Sequence, residues 1–122
     1  DDGKQINCPI VVLVDENSAS ASEIFAGAMK DYTEDGYIDA TLVGTTTFGK
    51  GIVQTIYPLE DGDAVKITTS KYYTPNGNNI HGVGIDPDVE IEYEYTGDKN
   101  ADYDMQYDNQ LQKAIEVMNE KL

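Results

Sequence analysis

The hydrophobic pattern in the first third of the chain predicts a strand, a tight turn, a helix and a second strand. Residues 9–15 (PIVVLVD) form a short apolar run rich in valine, which is typical of a strand buried on both faces of an α/β sheet. Small polar residues follow at 17–22, and residues 23–29 return to helical spacing. After an acidic turn, residues 40–44 (ATLVG) predict the second strand.

The second half of the chain predicts a hairpin, an edge strand and a terminal helix. Residues 52–59 and 64–73 are β-like and flank a turn at 60–63, so we expect them to pair. Residues 89–95 alternate acidic and apolar side chains, as an edge strand does. Residues 108–122 have helical periodicity, and the apolar stripe predicted for this helix contains Leu111, Ile115, Met118 and Leu122.

These patterns divide the chain into three segments. We expect residues 1–96 to belong to a catalytic core, residues 97–107 to be a polar acidic linker, and residues 108–122 to be an amphipathic helix packed on the domain or on a partner. The 122 residues suffice for one domain with a modest core. No apolar run approaches the length of a membrane span, and the single cysteine excludes an intramolecular disulfide.

Charge and the scarcity of metal-ligating residues exclude several function classes. The formal net charge is −15, with 23 acidic and 8 basic residues, so the chain repels nucleic-acid phosphates and anionic membranes. One histidine and one cysteine do not make a zinc site, and the clustered aspartates do not follow the calcium-loop spacing. His81 lies in a glycine-rich stretch and is expected to be an exposed loop residue rather than a member of a Ser-His-Asp triad.

Ser20 is the first candidate for chemistry, because it lies in Ser18-Ala19-Ser20-Ala21-Ser22-Glu23 between the first strand and the helix. A turn at the carboxyl end of a strand exposes a side chain where ligands bind in open α/β folds. The free N–H of Ala21, at the start of the helix, is a natural donor to an oxyanion. The competing interpretation is structural, because Ser20 and Glu23 also spell the S-x-x-E capping box of an ordinary helix start.

Lys50 is the second candidate, because it lies between two glycines in Thr47-Phe48-Gly49-Lys50-Gly51. A phosphate loop is rejected, since glycine occupies its Ser/Thr position and the segment precedes a strand instead of a helix. A neutral lysine in such a loop could act as the general base of a Ser-Lys pair, although an exposed loop lysine has the same spacing. Gln54, on the following strand, is either a surface residue or a partner that orients the base.

Taken together, these stretches resemble the catalytic core of the carboxyl-terminal processing peptidases, also called tail-specific proteases. The resemblance covers residues 9–91. The matching stretches, in the order found in the family, are VLVD at 12–15 with SASASE at 18–23, VG at 43–44, TFGKG-x-VQ at 47–54, TT-x-KYYTP-x-G at 68–77 and G-x-GI-x-PD at 82–88.

The resemblance implies a function and a set of roles. Ser20 would be the nucleophile of a serine endopeptidase, Lys50 its base, Gln54 the residue that orients the base, and Ala21 a donor to the oxyanion. The substrate would be a protein or peptide cleaved near an exposed C-terminal tail, with no metal or organic cofactor. The implied compartment is extracytoplasmic, such as the cell envelope or periplasm.

The implied fold is α/β, a mixed sheet with helices like that of crotonases and Clp-type proteases. Residues 1–122 contain no counterpart of the family's upstream PDZ-like domain, nor of its strand ending in D-L-R-x-N-x-G-G, whose glycine supplies the second oxyanion donor. We therefore expect an incomplete core with open sheet edges, which favours a homodimer or a strand-exchanged dimer. The alternative function is a non-catalytic peptide-binding or dimerisation module that retains the peptidase fold.

Overall fold

The computed structural model describes residues 6–122 and contains five strands and two α-helices within them. The predicted order of strand, helix, strand, hairpin and terminal helix is confirmed. The elements are β1 (Ile10–Val14), α1 (Ala21–Glu34), β2 (Ala40–Gly44), β3 (Ile52–Pro58), β4 (Ala64–Lys71), β5 (Val89–Glu90) and α2 (Asn109–Lys121), with a single 3₁₀ turn at Met105–Tyr107. The architecture is α/β, with parallel and antiparallel strands in two separate sheets.

The first sheet is parallel and has β2 between β1 and β5. Its central position buries β2, in which Leu42 and Val43 are fully covered. The prediction that residues 9–15 are buried on both faces is wrong for Leu13, which is 44% exposed. Leu13 stays exposed because its side chain lines an open groove between β1 and the start of α1 instead of a packed interface.

The predicted edge strand at 89–95 is much shorter than expected. Only Val89–Glu90 is a strand, and it pairs with Val43 and Gly44 at the end of β2. The N–H of Ile91 still donates to the carbonyl of Gly44, but β2 ends there. Residues 92–95 therefore have no further β2 backbone to pair with, whatever their alternating pattern suggests.

The second sheet is the antiparallel hairpin of β3 and β4, which pair from Ile52 and Lys71 to Pro58 and Ala64. Every residue of β4 is exposed. The alternation of apolar and polar residues therefore identified the strand correctly, but its apolar residues do not form a buried face.

Helix α2 packs against β1 and β2. Its predicted apolar stripe is partly wrong, because Ile115 is 44% and Leu122 88% exposed, while Ala114 and Val117 are buried. The buried side chains of α2, Ala114 and Val117, are thus smaller than those the pattern predicted, and Ile115 and Leu122 do not pack on the sheet.

Two polar contacts lie on the same face of α2 as its buried residues. The side chain of Gln110 donates to the carbonyl of Ile91, and Lys121 forms an ion pair with Asp39. Gln110, Ala114, Val117 and Lys121 follow one another at intervals of four, three and four residues, so they lie on one helical face. That face is the one turned toward the sheet.

The core lies beneath the carboxyl ends of the parallel strands. Its buried residues come from β1, α1, β2 and the loop at 80–85, and they are Val14, Ala26, Leu42, Ile80 and Ile85.

No helix within residues 6–122 is long and apolar enough to cross a membrane. The segment 97–107 is exposed for most of its length and ends in the 3₁₀ turn, and the division into three segments stays a prediction.

Candidate active site

Two loops meet at the carboxyl ends of the parallel strands β1 and β2. Because β1 and β2 are parallel neighbours ending at the paired residues Val14 and Gly44, the segments that follow them, 15–20 and 45–51, leave the sheet side by side. The N–H of Phe48 donates to the carbonyl of Ser18 at 3.0 Å, which joins the loops directly. The topology thereby brings the Ser20 segment and the Lys50 segment together.

The turn after β1 is held by the side chain of Asp15. Its Oδ1 accepts hydrogen bonds from the N–H groups of Asn17 at 2.9 Å and Ser18 at 3.0 Å. This is the Asx-turn arrangement, in which a carboxylate replaces a backbone acceptor. It reverses the chain within a few residues of β1, so that α1 can begin at Ala21.

Ser20 has a strained backbone at the N-cap of α1. Its φ is 57° and its ψ is −111°, and it is the one non-glycine residue with positive φ among residues 6–122. Such a conformation costs about 1–3 kcal/mol and persists only where the surrounding structure imposes it. Strain of this kind concentrates at functional sites, and an ordinary helix cap does not require it.

The N–H of Ala21, the first residue of α1, has no acceptor among the residues that the structure describes. An open groove of about 420 Å³ runs beside it along β1. Leu13, Ser18, Ala21 and Phe25 are among the residues that line this groove. A free helix-terminal donor next to an open groove suits an acyl group whose oxygen becomes negative.

The glycines beside Lys50 are required by close packing of the loop at 45–51, called the Lys50 loop below. Gly49 has a φ of +88°, and its N–H and carbonyl are both in use. A Cβ on Gly51 would lie 2.5 Å from the backbone nitrogen of His81. The flanking glycines therefore let the Lys50 loop lie directly against the backbone of the following glycine-rich loop.

Glu23 is the buried hub between the two loops, and its side chain is fully covered. Its Oε2 accepts from the N–H of Ser20 at 2.9 Å and of Lys50 at 2.8 Å. Its Oε1 accepts from the Thr47 hydroxyl at 2.7 Å and the Gly49 N–H at 2.6 Å. Burial acts to raise the pKa of Glu23, but the four hydrogen bonds outweigh it and hold the pKa below its ordinary value.

The backbones of Ser20 and Lys50 are brought together, but the two side chains predicted to form the dyad are not bonded to each other. Among residues 6–122, the Ser20 hydroxyl and the Lys50 amine form no hydrogen bond with one another, and the backbone groups of the two residues are linked through Glu23. Catalytic hydrogen bonds are often long or poorly aligned without substrate, so the missing Ser20–Lys50 bond does not rule out a catalytic pair.

Gln54 lies on β3, but its side-chain amide donates to the hydroxyl of Thr68 on β4 at 3.4 Å. That contact belongs to the hairpin and does not involve Lys50. A bulge between Val53 and Gln54 shifts the register at this point.

Two residues of the site were missed by sequence reasoning. Glu23 was interpreted as half of a capping box, although three of its four donors come from the Lys50 loop. Thr47 was noted only as part of the loop, yet its buried hydroxyl also accepts from the N–H of Ile85 at 2.8 Å. The signal available in the sequence was a carboxylate at the start of a helix and a Thr-x-Gly-Lys-Gly loop that begins 24 residues later, and this combination identifies no contact by itself.

The other residues considered for chemistry are exposed. The backbone of His81 lies against Gly51 of the Lys50 loop, and both His81 and Cys8 are exposed. Within residues 6–122, no group of three or more His, Cys, Asp or Glu side chains is arranged to hold a metal ion.

Sequence comparison matches residues 1–91 to the model of Peptidase family S41. A carboxy-terminal-processing protease of Bartonella bacilliformis is 52% identical over 84 residues, which are 69% of this chain and 18% of that protein. A probable CtpA-like serine protease of Staphylococcus epidermidis is 55% identical over 82 residues, 67% of this chain and 16% of that protein. The chain thus spans less than a fifth of the length of these curated relatives.

Structural comparison gives the same grouping. A solved photosystem II D1 C-terminal processing protease superposes with a TM-score of 0.60 and 44% sequence identity. The match covers 69% of this chain and 20% of that one.

Proposed function

The chain belongs to Peptidase family S41, and from that premise we propose that it carries the nucleophile and the general base of a serine endopeptidase that cleaves proteins near their C-termini. Ser20 is the nucleophile and Lys50 is the base. The observation that supports this most directly is the shared acceptor, because one carboxylate oxygen of Glu23 holds the backbones of both residues. The strained φ of Ser20 supports it further.

The proposed reaction passes through an acyl-enzyme. The neutral amine of Lys50 takes the hydroxyl proton as the Ser20 Oγ attacks the scissile carbonyl carbon. The tetrahedral intermediate then breaks its C–N bond, and Lys50 returns the proton to the leaving amine. Water, deprotonated by the same lysine, attacks the acyl-enzyme, which releases the new carboxyl end and restores the serine.

The oxyanion would be stabilised by the N–H of Ala21, which has no acceptor among the described residues and lies beside the groove along β1. By the family resemblance, a glycine N–H from the upstream strand supplies the second donor. Removing one such donor in a serine peptidase typically lowers kcat by about 100- to 1000-fold.

The proposed substrate is a protein or peptide with an exposed C-terminal tail, bound in an extracytoplasmic compartment, and the proposed chemistry uses no cofactor. The groove along β1 suits an extended peptide, because β1 is an edge strand of the sheet within residues 6–122 and peptides bind such edges by adding a strand. The proposed role of Gln54 is to orient the Lys50 amine, which requires its amide to leave Thr68 when substrate is bound.

The test is cleavage of an unstructured C-terminal tail by the full-length protein. Ser20→Ala and Lys50→Ala should each abolish turnover while the thermal unfolding midpoint stays near that of the wild type. Ser70→Ala and Lys66→Ala are matched controls on exposed positions of β4 and should leave turnover unchanged. Wild-type turnover by either dyad variant would refute the assignment.

The second candidate is a non-catalytic peptide-binding module, which the open groove and the lack of a Ser20–Lys50 bond favour. The same variants distinguish the two functions. A module would bind the tail peptide as tightly after Ser20→Ala as before and would never release a cleaved product from the wild-type protein.

A further inference from the structure

The carboxylate of Glu23 makes more contacts than a helix cap requires. In a capping box the acidic side chain accepts one hydrogen bond, from the N–H of the cap residue. Here that bond comes from Ser20 at 2.9 Å. The other three donors, on Thr47, Gly49 and Lys50, lie 24 to 27 residues further along the chain.

The four donors occupy both carboxylate oxygens in a paired arrangement. Oε2 receives one N–H from Ser20, at the end of the turn 15–20, and one from the Lys50 loop, while Oε1 receives two donors from the Lys50 loop. A fully buried carboxylate is tolerated only when it is satisfied in this way. The Ser20 and Lys50 nitrogens are therefore each held one hydrogen-bond length from the same atom.

We propose that Glu23 is a positioning residue that sets the distance between the nucleophile and the base. The inference rests on the proposed roles of Ser20 and Lys50 and adds to them the element that aligns the two loops. Glu23 touches neither the substrate nor the reacting atoms. It acts on the backbone at both ends of the dyad, so its loss misplaces the two reacting side chains relative to each other.

A neutral side chain of the same shape cannot replace the carboxylate. A glutamine has one acceptor oxygen and one NH₂ group, which donates only. Its NH₂ group would face either the N–H groups of Ser20 and Lys50 or the N–H of Gly49. In both orientations two donors oppose each other inside a buried site. Glu23→Gln should therefore separate the loops even though side-chain volume is conserved.

Glu34→Gln is the matched control, because Glu34 is an exposed residue of the same helix and the change removes the same charge. In the full-length protein, Glu23→Gln should lower kcat for a tail peptide by about 100-fold, as misplacement of about 1 Å does. KM should stay within about threefold, because the groove along β1 is untouched. Glu34→Gln should match the wild type in both constants.

Binding is measured separately to distinguish positioning from general damage. In a Ser20→Ala background, which prevents turnover, addition of Glu23→Gln should leave the affinity for the uncleaved peptide unchanged. A loss that appears in KM or in this affinity, or one that follows the unfolded fraction of the protein, would overturn the proposal. Retention of wild-type kcat by folded Glu23→Gln would do the same.

Thr47 gives a second and milder variant in case Glu23→Gln fails to fold. Thr47→Val removes one donor to Oε1 and keeps the volume, whereas Thr47→Ser keeps the hydroxyl. We expect kcat to fall about tenfold for valine and to recover for serine. Equal activity of the two folded variants would refute the positioning role. The dyad itself fails only if Ser20→Ala or Lys50→Ala retains cleavage, so the two failures are distinguishable.

Discussion

The backbone N–H groups of Ser20 and Lys50 donate to the same atom, Oε2 of Glu23, at 2.9 and 2.8 Å. The two residues are 30 positions apart in the chain, and each leads out of a different parallel strand. Their proximity therefore depends on the pairing of β1 with β2 and on this buried carboxylate. Each of these supports can be tested without touching either dyad side chain.

Gly84 and Gly82 provide a matched pair for testing how neighbouring backbone supports the Lys50 loop. Both have positive φ, +80° and +75°, but a Cβ on Gly84 would lie 2.4 Å from the carbonyl oxygen of Thr47, while one on Gly82 meets nothing within 4 Å. Gly82→Ala should cost about 1–2 kcal/mol for the backbone conformation alone. Gly84→Ala should cost about 1–3 kcal/mol more, because the Thr47 loop must move.

Denaturant unfolding measures these costs, and tail cleavage by the full-length protein measures their consequence. Activity should fall for Gly84→Ala and persist for Gly82→Ala at temperatures where both are folded. Equal stability and activity of the two variants would show that the Lys50 loop does not depend on the close approach of Gly84 to Thr47.

Sequence patterns were sufficient for most of the elements, because each depends on local periodicity. The apolar run of β1 and the turn between β3 and β4 predicted strands found within two residues of their bounds, whereas α1 continues five residues past the predicted 23–29. The positions of Ser20 and Lys50 at one sheet edge follow from the parallel pairing of β1 with β2, which the α/β prediction implied.

Long-range contacts were beyond those patterns. The S-x-x-E spacing gives the same signal whether Glu23 only caps a helix or also binds a distant loop. In α2, helical periodicity identified an amphipathic helix but not its rotation. The face that α2 turns toward the sheet also carries Gln110 and Lys121, whose partners at Ile91 and Asp39 lie outside the helix. Both misjudgements therefore concern tertiary contacts that no local pattern contains.

The lowered pKa of Glu23 predicts that the free energy of unfolding of the protein decreases in acid. The pKa of Glu23 is lowered in the folded protein, so the contribution of this residue is complete above the ordinary value of 4.5 and disappears as the pH falls through the folded value. Glu23→Gln should therefore destabilise the protein by about 2–4 kcal/mol near neutral pH, because charge-assisted hydrogen bonds are lost in a buried site. The difference should narrow progressively below about pH 4.

Unfolding by urea at a series of pH values checks this prediction, with Glu34→Gln as the charge control. The control should follow the wild-type curve, because Glu34 is exposed. A constant difference between wild type and Glu23→Gln across the acid range would contradict the assigned pKa direction.

The proposed role of Lys50 predicts that activity rises with pH. Only the neutral amine can accept the serine proton, so kcat/KM of the full-length protein should increase as the lysine loses its proton. Lys50→Arg should be inactive at every pH, because a guanidinium stays protonated. A tail peptide without titratable groups keeps substrate ionisation out of the profile, and an acidic optimum would exclude lysine as the base.

The open edge of β1 predicts self-association of the 122-residue chain. Leu13 and Phe25, on β1 and α1 beside the groove, are 44% and 53% exposed, and an unpaired strand edge readily pairs with another chain. Sedimentation equilibrium should show a concentration-dependent dimer, and Leu13→Lys should weaken it by placing a charge at the edge. Ile56→Lys, on the exposed hairpin, is the control and should leave the dimer intact. A dimer lost with Ile56→Lys and kept with Leu13→Lys would place the interface on the hairpin and not on β1.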